Sequence, residues 1–358
     1  MFLAAALVSL LMSWLLVLRL ERVGERLGLS EALLGIVAAL AADAPEITAA
    51  VTAMSGHQQR LGTGVIIGSN VFNLAALLGL GAVAAGRIRL HRKAVLLGGA
   101  VALSLTAVCL PVVLGVLSPA GGLIIALLVM TLYAIVLAGR PRGLARLPAP
   151  WRAWLQAAVA EEETELQDAI RPQRGRAPDV IAAAAALIVV VVASVTMERA
   201  ASALGSRFAV PQIIVGGLVL AAVTSLPNAV AAVYLAAHGR GAATLSTALN
   251  SNNVNLVIGL LIPGTLLGLG RPAGQATLIA GWYLGLTGVV LVFAWRDRGI
   301  RRPVGVLIIA AYLGFAGSLL VTAYAPRLLT PADLGTAAAA AVVFGAAFLG
   351  AAVTRRGR

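Results

Sequence analysis

Apolar runs of about twenty residues recur along this chain, separated by short segments that hold most of its charge. A run of that length crosses the hydrocarbon core of a bilayer as a helix, and every backbone polar group in it must be satisfied inside the segment. Eleven spans are predicted, at 2–18, 30–54, 61–85, 94–117, 119–139, 179–200, 210–237, 242–268, 274–294, 303–325 and 332–353. With 60% hydrophobic and 11% charged residues among 358, the expected class is an all-α polytopic membrane protein.

The net charge of +13 is a matter of topology. Of 27 lysines and arginines, 22 fall in the loops that alternate onto one side of those spans, among them Arg19, Arg22, Arg92, Lys93 and Arg302. Only Arg60, Arg199, Arg207, Arg271 and Arg327 fall on the other. The basic side is the cytoplasmic one, so the amino terminus is expected outside and the carboxyl terminus in the cytoplasm, in a plasma (inner) membrane. The expected partner is the lipid bilayer, and no nucleic-acid footprint remains. Span one has its positive charges after the apolar run, which suits a retained helix better than a cleaved signal. The lone Cys109 lies in an apolar run, which excludes a disulfide framework and a CxxC metal site.

The chain repeats itself at an offset of 182 residues. "GIVAALAADAPEITAAV" at 35–51 lies over "GLVLAAVTSLPNAVAAV" at 217–233, which sets Pro45 on Pro227 and Glu46 on Asn228. Further on, Ser69 meets Ser251, Asn70 meets Asn252 and Asn73 meets Asn255, without insertion. Span two and span seven cross in opposite directions, so the repeats are inverted. Inverted repeats broken by proline at matching places point to a secondary transporter with its site at the midplane. The expected organisation is a first half at 1–139 with its motif at 35–81, a cytoplasmic loop at 140–178, and a second half at 179–325 with its motif at 217–263. An extra helix and a cytoplasmic tail complete the chain at 326–358.

Most of the fourteen acidic residues lie in loops or near span ends; Asp43 and Glu46 alone lie deep. They are three apart on one helix face, flanking a proline that removes a backbone donor. An intramembrane carboxylate costs about 2.5–3.5 kcal/mol on insertion scales and is functional by default. Ser69 and Asn73 share a face of span three, Thr224, Ser225 and Asn228 one of span seven, and Ser251 and Asn255 one of span eight. Carboxylate, amide and hydroxyl oxygens on four helices are the ligands that hard cations prefer. Asp43 and Glu46 are the candidate metal ligands, the seven others neutral cation ligands, and Pro45 and Pro227 the helix breakers. Taken singly, any of the Ser and Asn residues could simply bond a neighbouring helix. An intramembrane hydrolase with paired acids is disfavoured, because both carboxylates sit on one helix and His57, His91 and His238 all fall at loops.

"AADAPEI" followed by "GSNVFN", and "VTSLPNAV" followed by "NSNNVN", resemble the two alpha repeats of the sodium/calcium exchanger family, within the calcium/cation antiporter superfamily. Those repeats read like TS-x-PE on one helix and GSN-x-x-N or GSN-x-x-D on the next. The resemblance covers about 100 residues in two blocks. It implies ten core helices in two inverted five-helix repeats, with ions bound between spans two, three, seven and eight. By position it makes Glu46, Ser69, Asn73, Thr224, Ser225, Ser251 and Asn255 ligands. It implies no enzyme and no cofactor, but a cation antiporter exchanging Ca²⁺ for Na⁺ or H⁺ by alternating access. The sequence departs from the pattern in three places: Asn228 stands where the second glutamate belongs, Ala42-Asp43 replaces the first Thr-Ser, and Asn250 replaces a glycine. The site charge of about −2 then comes from one helix, which makes a multi-sodium cycle less assured; burial that raises a carboxyl pKa would let proton binding replace sodium as the driving step. The alternative is a differently selective or non-transporting descendant of the same fold: a monovalent cation/H⁺ exchanger, a sensor or a scaffold.

The loop at 140–178 is read as extended "PRGLARLPAP" followed by a short helix, with Trp151, Arg152 and Trp154 at the membrane interface. Glu161, Glu162, Glu163, Glu165 and Asp168 lack EF-hand spacing and read as a solvated helix face. The eleventh span is rich in small residues, which suits docking on the other helices or on a second copy in a homodimer.

Overall fold

The structure, a computed structural model, describes residues 1–27, 31–137, 148–167, 176–237, 242–271 and 274–325. In chain order it holds α1 (Phe2–Arg26), α2 (Glu31–Ala42), α3 (Ala44–Ser55), α4 (Gln59–Ala85), β1 (Arg87–Arg89), α5 (Arg92–Val113) and α6 (Pro119–Leu137). A loop helix follows, α7 (Ala149–Gln167), and then α8 (Ala177–Arg207), α9 (Gln212–Thr224) and α10 (Leu226–Ala237). The chain continues through α11 (242–267), α12 (Gly274–Arg296), β2 (Gly299–Arg301) and α13 (Arg302–Tyr324). Among the described residues seven helices are long and apolar enough to cross a membrane, or eight if the bent pair Gln212–Thr224 and Leu226–Tyr234 is one span. Predicted span two is instead two helices of 12 residues meeting at Asp43. Span eight forms as α11, but its polar run Asn250-Ser251-Asn252-Asn253 dilutes its apolar character. The eleventh span, and residues 138–147 and 168–175 of the loop, lie outside the described residues.

The α4 helix forms the centre: 89% of its apolar window is buried, against 28% for α1 and 33% for α8, which pack together along their length at the periphery. Between the halves, α4 crosses α9, and α5 packs on α12. At the first crossing Gly64 and Gly68 meet the Gly217 backbone, and Gly216 meets that of Leu61 and Val65. A Cβ on Gly68 would fall 2.7 Å from the Gly217 Cα, so these helices approach as closely as small residues spaced by four allow.

The chain departs from the expected all-α class in one place. Arg87–Arg89 and Gly299–Arg301 pair as a short antiparallel ribbon, with Ile88 opposite Ile300. Both isoleucines are fully buried, and the alternating "RIR" pattern leaves Arg87, Arg89 and Arg301 facing out. Gly299, at φ 147°, lies against the Ile88 carbonyl where no side chain fits. Loops this short were read as plain connections because three residues carry too little periodicity to distinguish a strand.

The loop helix α7 docks under one end of the bundle, touching α2, α5 and α11. Glu161 accepts hydrogen bonds from the Lys93 and Ala94 backbone amides at 2.8 and 3.3 Å, supplying an acceptor to the first turn of α5. This acid was read as part of a solvated face; its two bonds to the start of α5 show that one member of the cluster is structural.

Candidate functional site

The site begins with a hydrogen bond that cannot form. Pro45 has no amide hydrogen, so the Ala41 carbonyl four residues earlier loses its helical donor. Ser13 of α1 replaces it: its hydroxyl donates to the Ala41 and Ala42 carbonyls at 3.3 and 3.2 Å. The chain turns there at Asp43, with φ −88° and ψ 1°, and Ser225 in the second repeat adopts φ −86° and ψ 0°. Two helices thus break in the same conformation at positions 182 residues apart.

These breaks face each other. Asp43 Oδ1 accepts hydrogen bonds from Ser251 Oγ at 2.7 Å and Asn228 Nδ2 at 3.0 Å. Glu46 Oε1 accepts one from Ser225 Oγ at 2.8 Å. Asn73 Nδ2 donates to Ser251 Oγ and to Asn252 Oδ1, at 3.1 and 3.2 Å. Both carboxylates are 0% exposed. Of the nine predicted ligands, Asp43, Glu46, Asn73, Ser225, Asn228 and Ser251 therefore come together in direct hydrogen bonds. Ser69 lies one helical turn before Asn73, buried and without a hydrogen-bond partner. Asn255 lies one turn after Ser251 and donates to Asn70 Oδ1 at 3.3 Å. Thr224 is buried beside the break, but its hydroxyl donates to its own helix at Leu220, 2.9 Å away. It serves the backbone more than the cluster.

Five side-chain oxygens of the predicted ligands are buried and accept no hydrogen bond, namely Asp43 Oδ2, Glu46 Oε2, Ser69 Oγ, Asn73 Oδ1 and Asn255 Oδ1; Asn253 Oδ1, in the same polar run as Ser251, is a sixth outside that set. A buried acceptor without a donor is costly, and buried polar atoms are ordinarily paired. Among the described residues no cluster of three or more His, Cys, Asp or Glu exists, so any cation held here is held by hydroxyl and amide oxygens as well as by the two acids.

Behind the carboxylates the halves are locked by a reciprocal pair. Asn70 Nδ2 donates to the Asn252 carbonyl at 3.1 Å, and Asn252 Nδ2 returns the bond to the Asn70 carbonyl at 3.0 Å. The Tyr283 hydroxyl of α12 lies close to both side-chain amides and to Thr106. Asn70 and Asn252 were read only as markers of the repeat; their alignment with each other was the available signal. Tyr283 and Ser13 have no counterpart in the other half, and nothing local marks them.

The sodium/calcium exchanger protein family model matches residues 1–140 and 179–321. The chain belongs to that family. This exchanger has a fold shared with three solved structures. An H⁺/Ca²⁺ exchanger, CAX, superposes with a TM-score of 0.71 at 15% identity, over 98% of this chain and 87% of that one. Native YfkE gives 0.60 at 14% identity, over 89% and 91%. The sodium-calcium exchanger NCX_Mj, soaked with 2.5 mM Na⁺ and 10 mM Sr²⁺, gives 0.56 at 19% identity, over 88% and 97%. No curated protein matches the sequence. The exchanger is a helical membrane transport protein and not an enzyme. The parts of this chain that the family model leaves unmatched include the loop helix α7.

Proposed function

We propose that this exchanger is a secondary-active Ca²⁺ antiporter, binding its cations one at a time between α2–α3, α4, the α9–α10 break and α11. The observation that carries the reading is the set of five buried, unpartnered oxygens around two uncompensated carboxylates. Ca²⁺ takes about 6–8 oxygen ligands, so five side-chain oxygens with water or freed carbonyls make a suitable shell. The solved structures of like fold are described as H⁺/Ca²⁺ and sodium-calcium exchangers, which supports calcium as cargo.

The ligand set favours the proton over sodium as the counter-ion for any cycle that moves more than two monovalent ions. Asp43 and Glu46 together carry −2, which one Ca²⁺ neutralises and two protons neutralise equally. The carrier then crosses its midpoint without net charge in either direction, which the low-dielectric interior rewards. Several sodium ions would find no further acid, since Asn228 occupies the place of the second-repeat carboxylate. The proposed cycle is alternating access about the two breaks, with ten core helices in inverted halves and both the loop helix and the carboxyl terminus in the cytoplasm.

The test is ⁴⁵Ca²⁺ uptake by proteoliposomes loaded with acid or with Na⁺, using Glu46→Gln as a near-isosteric control. Uptake driven by the internal acid and lost in the variant is the expected result. Uptake driven by Na⁺ alone would assign sodium instead. Uptake under neither gradient would sink antiport and favour the non-transporting reading.

A further inference from the structure

At the end of the bundle opposite α7, a cavity of about 300 Å³ opens between the start of α4, the α5–α6 turn and the end of α11. Arg60 and Arg271 line it, and neither has an ion-pair partner among the described residues. No acidic residue is part of its wall. The first turns of three helices meet there as well: Arg60 and Thr63 begin α4, Ser118 and Pro119 begin α6, and Ala276 lies in the first turn of α12. Each first turn presents the positive end of a helix dipole. In α4 the Leu61 and Gly62 amides already donate to the Gln58 carbonyl, which leaves those of Gln59 and Arg60, while in α6 Pro119 has no amide hydrogen and Gly121 donates to Ser118 Oγ.

Thr63 supplies the second, independent observation. It is 4% exposed and faces the cavity, yet its hydroxyl has no hydrogen-bond partner among the described residues. Three other buried threonines of this chain donate to the carbonyl four residues earlier: Thr106, Thr224 and Thr287 do so at 2.7–2.9 Å. Thr63 makes no such bond, and it shares the cavity wall with the two arginines.

We propose that this cavity binds an oxyanion of the phosphate class, held by Arg60 and Arg271 with Thr63 and the remaining first-turn amides as further donors. Arginine pairs with phosphate through two parallel N–H bonds, and helix N-termini favour the same charge. The pocket joins the N-terminal end of α4 to the C-terminal end of α11, two helices that carry predicted ligands. A bound anion would neutralise two positive charges standing at one mouth of a cation carrier. The phosphate could belong to an anionic lipid headgroup or to free phosphate, and the experiment separates these sources.

Native mass spectrometry of the full-length protein would count retained phosphatidylglycerol, net-neutral phosphatidylcholine and inorganic phosphate in separate arms. The expected result is preferential retention of phosphatidylglycerol, reduced about tenfold or more in the Arg60→Gln/Arg271→Gln double variant and kept in Arg60→Lys/Arg271→Lys. An inorganic phosphate adduct with the same dependence on the arginines would support the pocket and place its ligand in solution. No adduct in either anionic arm, or adducts equal in wild type and the double glutamine variant, would overturn the proposal. Because both arginines are exposed, the glutamine variants are expected to fold, and the lysine pair controls for that independently.

Discussion

Asp43 and Glu46 each spend one carboxylate oxygen on donors from the second half and keep the other unpaired. The donors come from Asn228, Ser225 and Ser251, so the second repeat orients charges it does not itself carry. Asn228→Asp would place a third acid beside Asp43 in place of a donor. Transport by that variant is expected to become electrogenic, with uptake rising or falling when a potassium–valinomycin potential is imposed, while wild-type uptake is insensitive to it. Ser13→Ala should leave Ala41 short of its replacement donor and lower stability by about 1 kcal/mol, read as a lower thermal midpoint in detergent. The acids were legible in the sequence because a charge deep in an apolar run has few explanations. Ser13 was not, because a serine in a membrane helix is ordinary until the carbonyl it serves is known, and that carbonyl lies 28 residues away.

Most helices could be placed from apolar run length, and the proline breaks from Pro45 and Pro227, since both effects act within a few residues. The wide π turns at Leu74–Leu80 and Asn255–Leu261 were not foreseen. They begin at nearly equivalent places in the two repeats, right after the Asn73 and Val254 positions, but their sequences "LAALLGL" and "NLVIGLL" read as ordinary helix. The first lies against α13 and the second against α3 and α6. The α4–α9 crossing gives a sharper test at this scale. Gly68→Ala would push a methyl group into the Gly217 backbone, which cannot yield as a side chain would. The expected cost is about 1–3 kcal/mol, measured by thermal unfolding. Gly56→Ala, whose added carbon would stand at ordinary distances of 3.5 Å, should be nearly neutral by the same measure.

The two halves are joined across the pseudo-symmetry by the Asn70–Asn252 exchange, and at one end by the β1–β2 ribbon. A reciprocal pair of bonds behaves as one unit. Asn70→Ala and Asn252→Ala should therefore reduce thermal stability by similar amounts, and the double variant should fall well short of their sum. Additive losses would show that the two bonds act separately. The sequence repeat was legible because duplication leaves a fixed offset in the chain, whereas the ribbon and the docking of α7 arise from contacts between segments with no shared pattern. The placement of both formal charges at a single helix break has an electrical consequence. A membrane voltage does work only on charge that changes depth, about 2.3 kcal/mol per elementary charge for each 100 mV crossed. Rotation of the second half around a stationary α2–α3 break would move dipoles but almost no charge. The voltage sensitivity of the unloaded, deprotonated carrier is thus set by how far that one break travels, and a transient capacitive current would report its displacement alone.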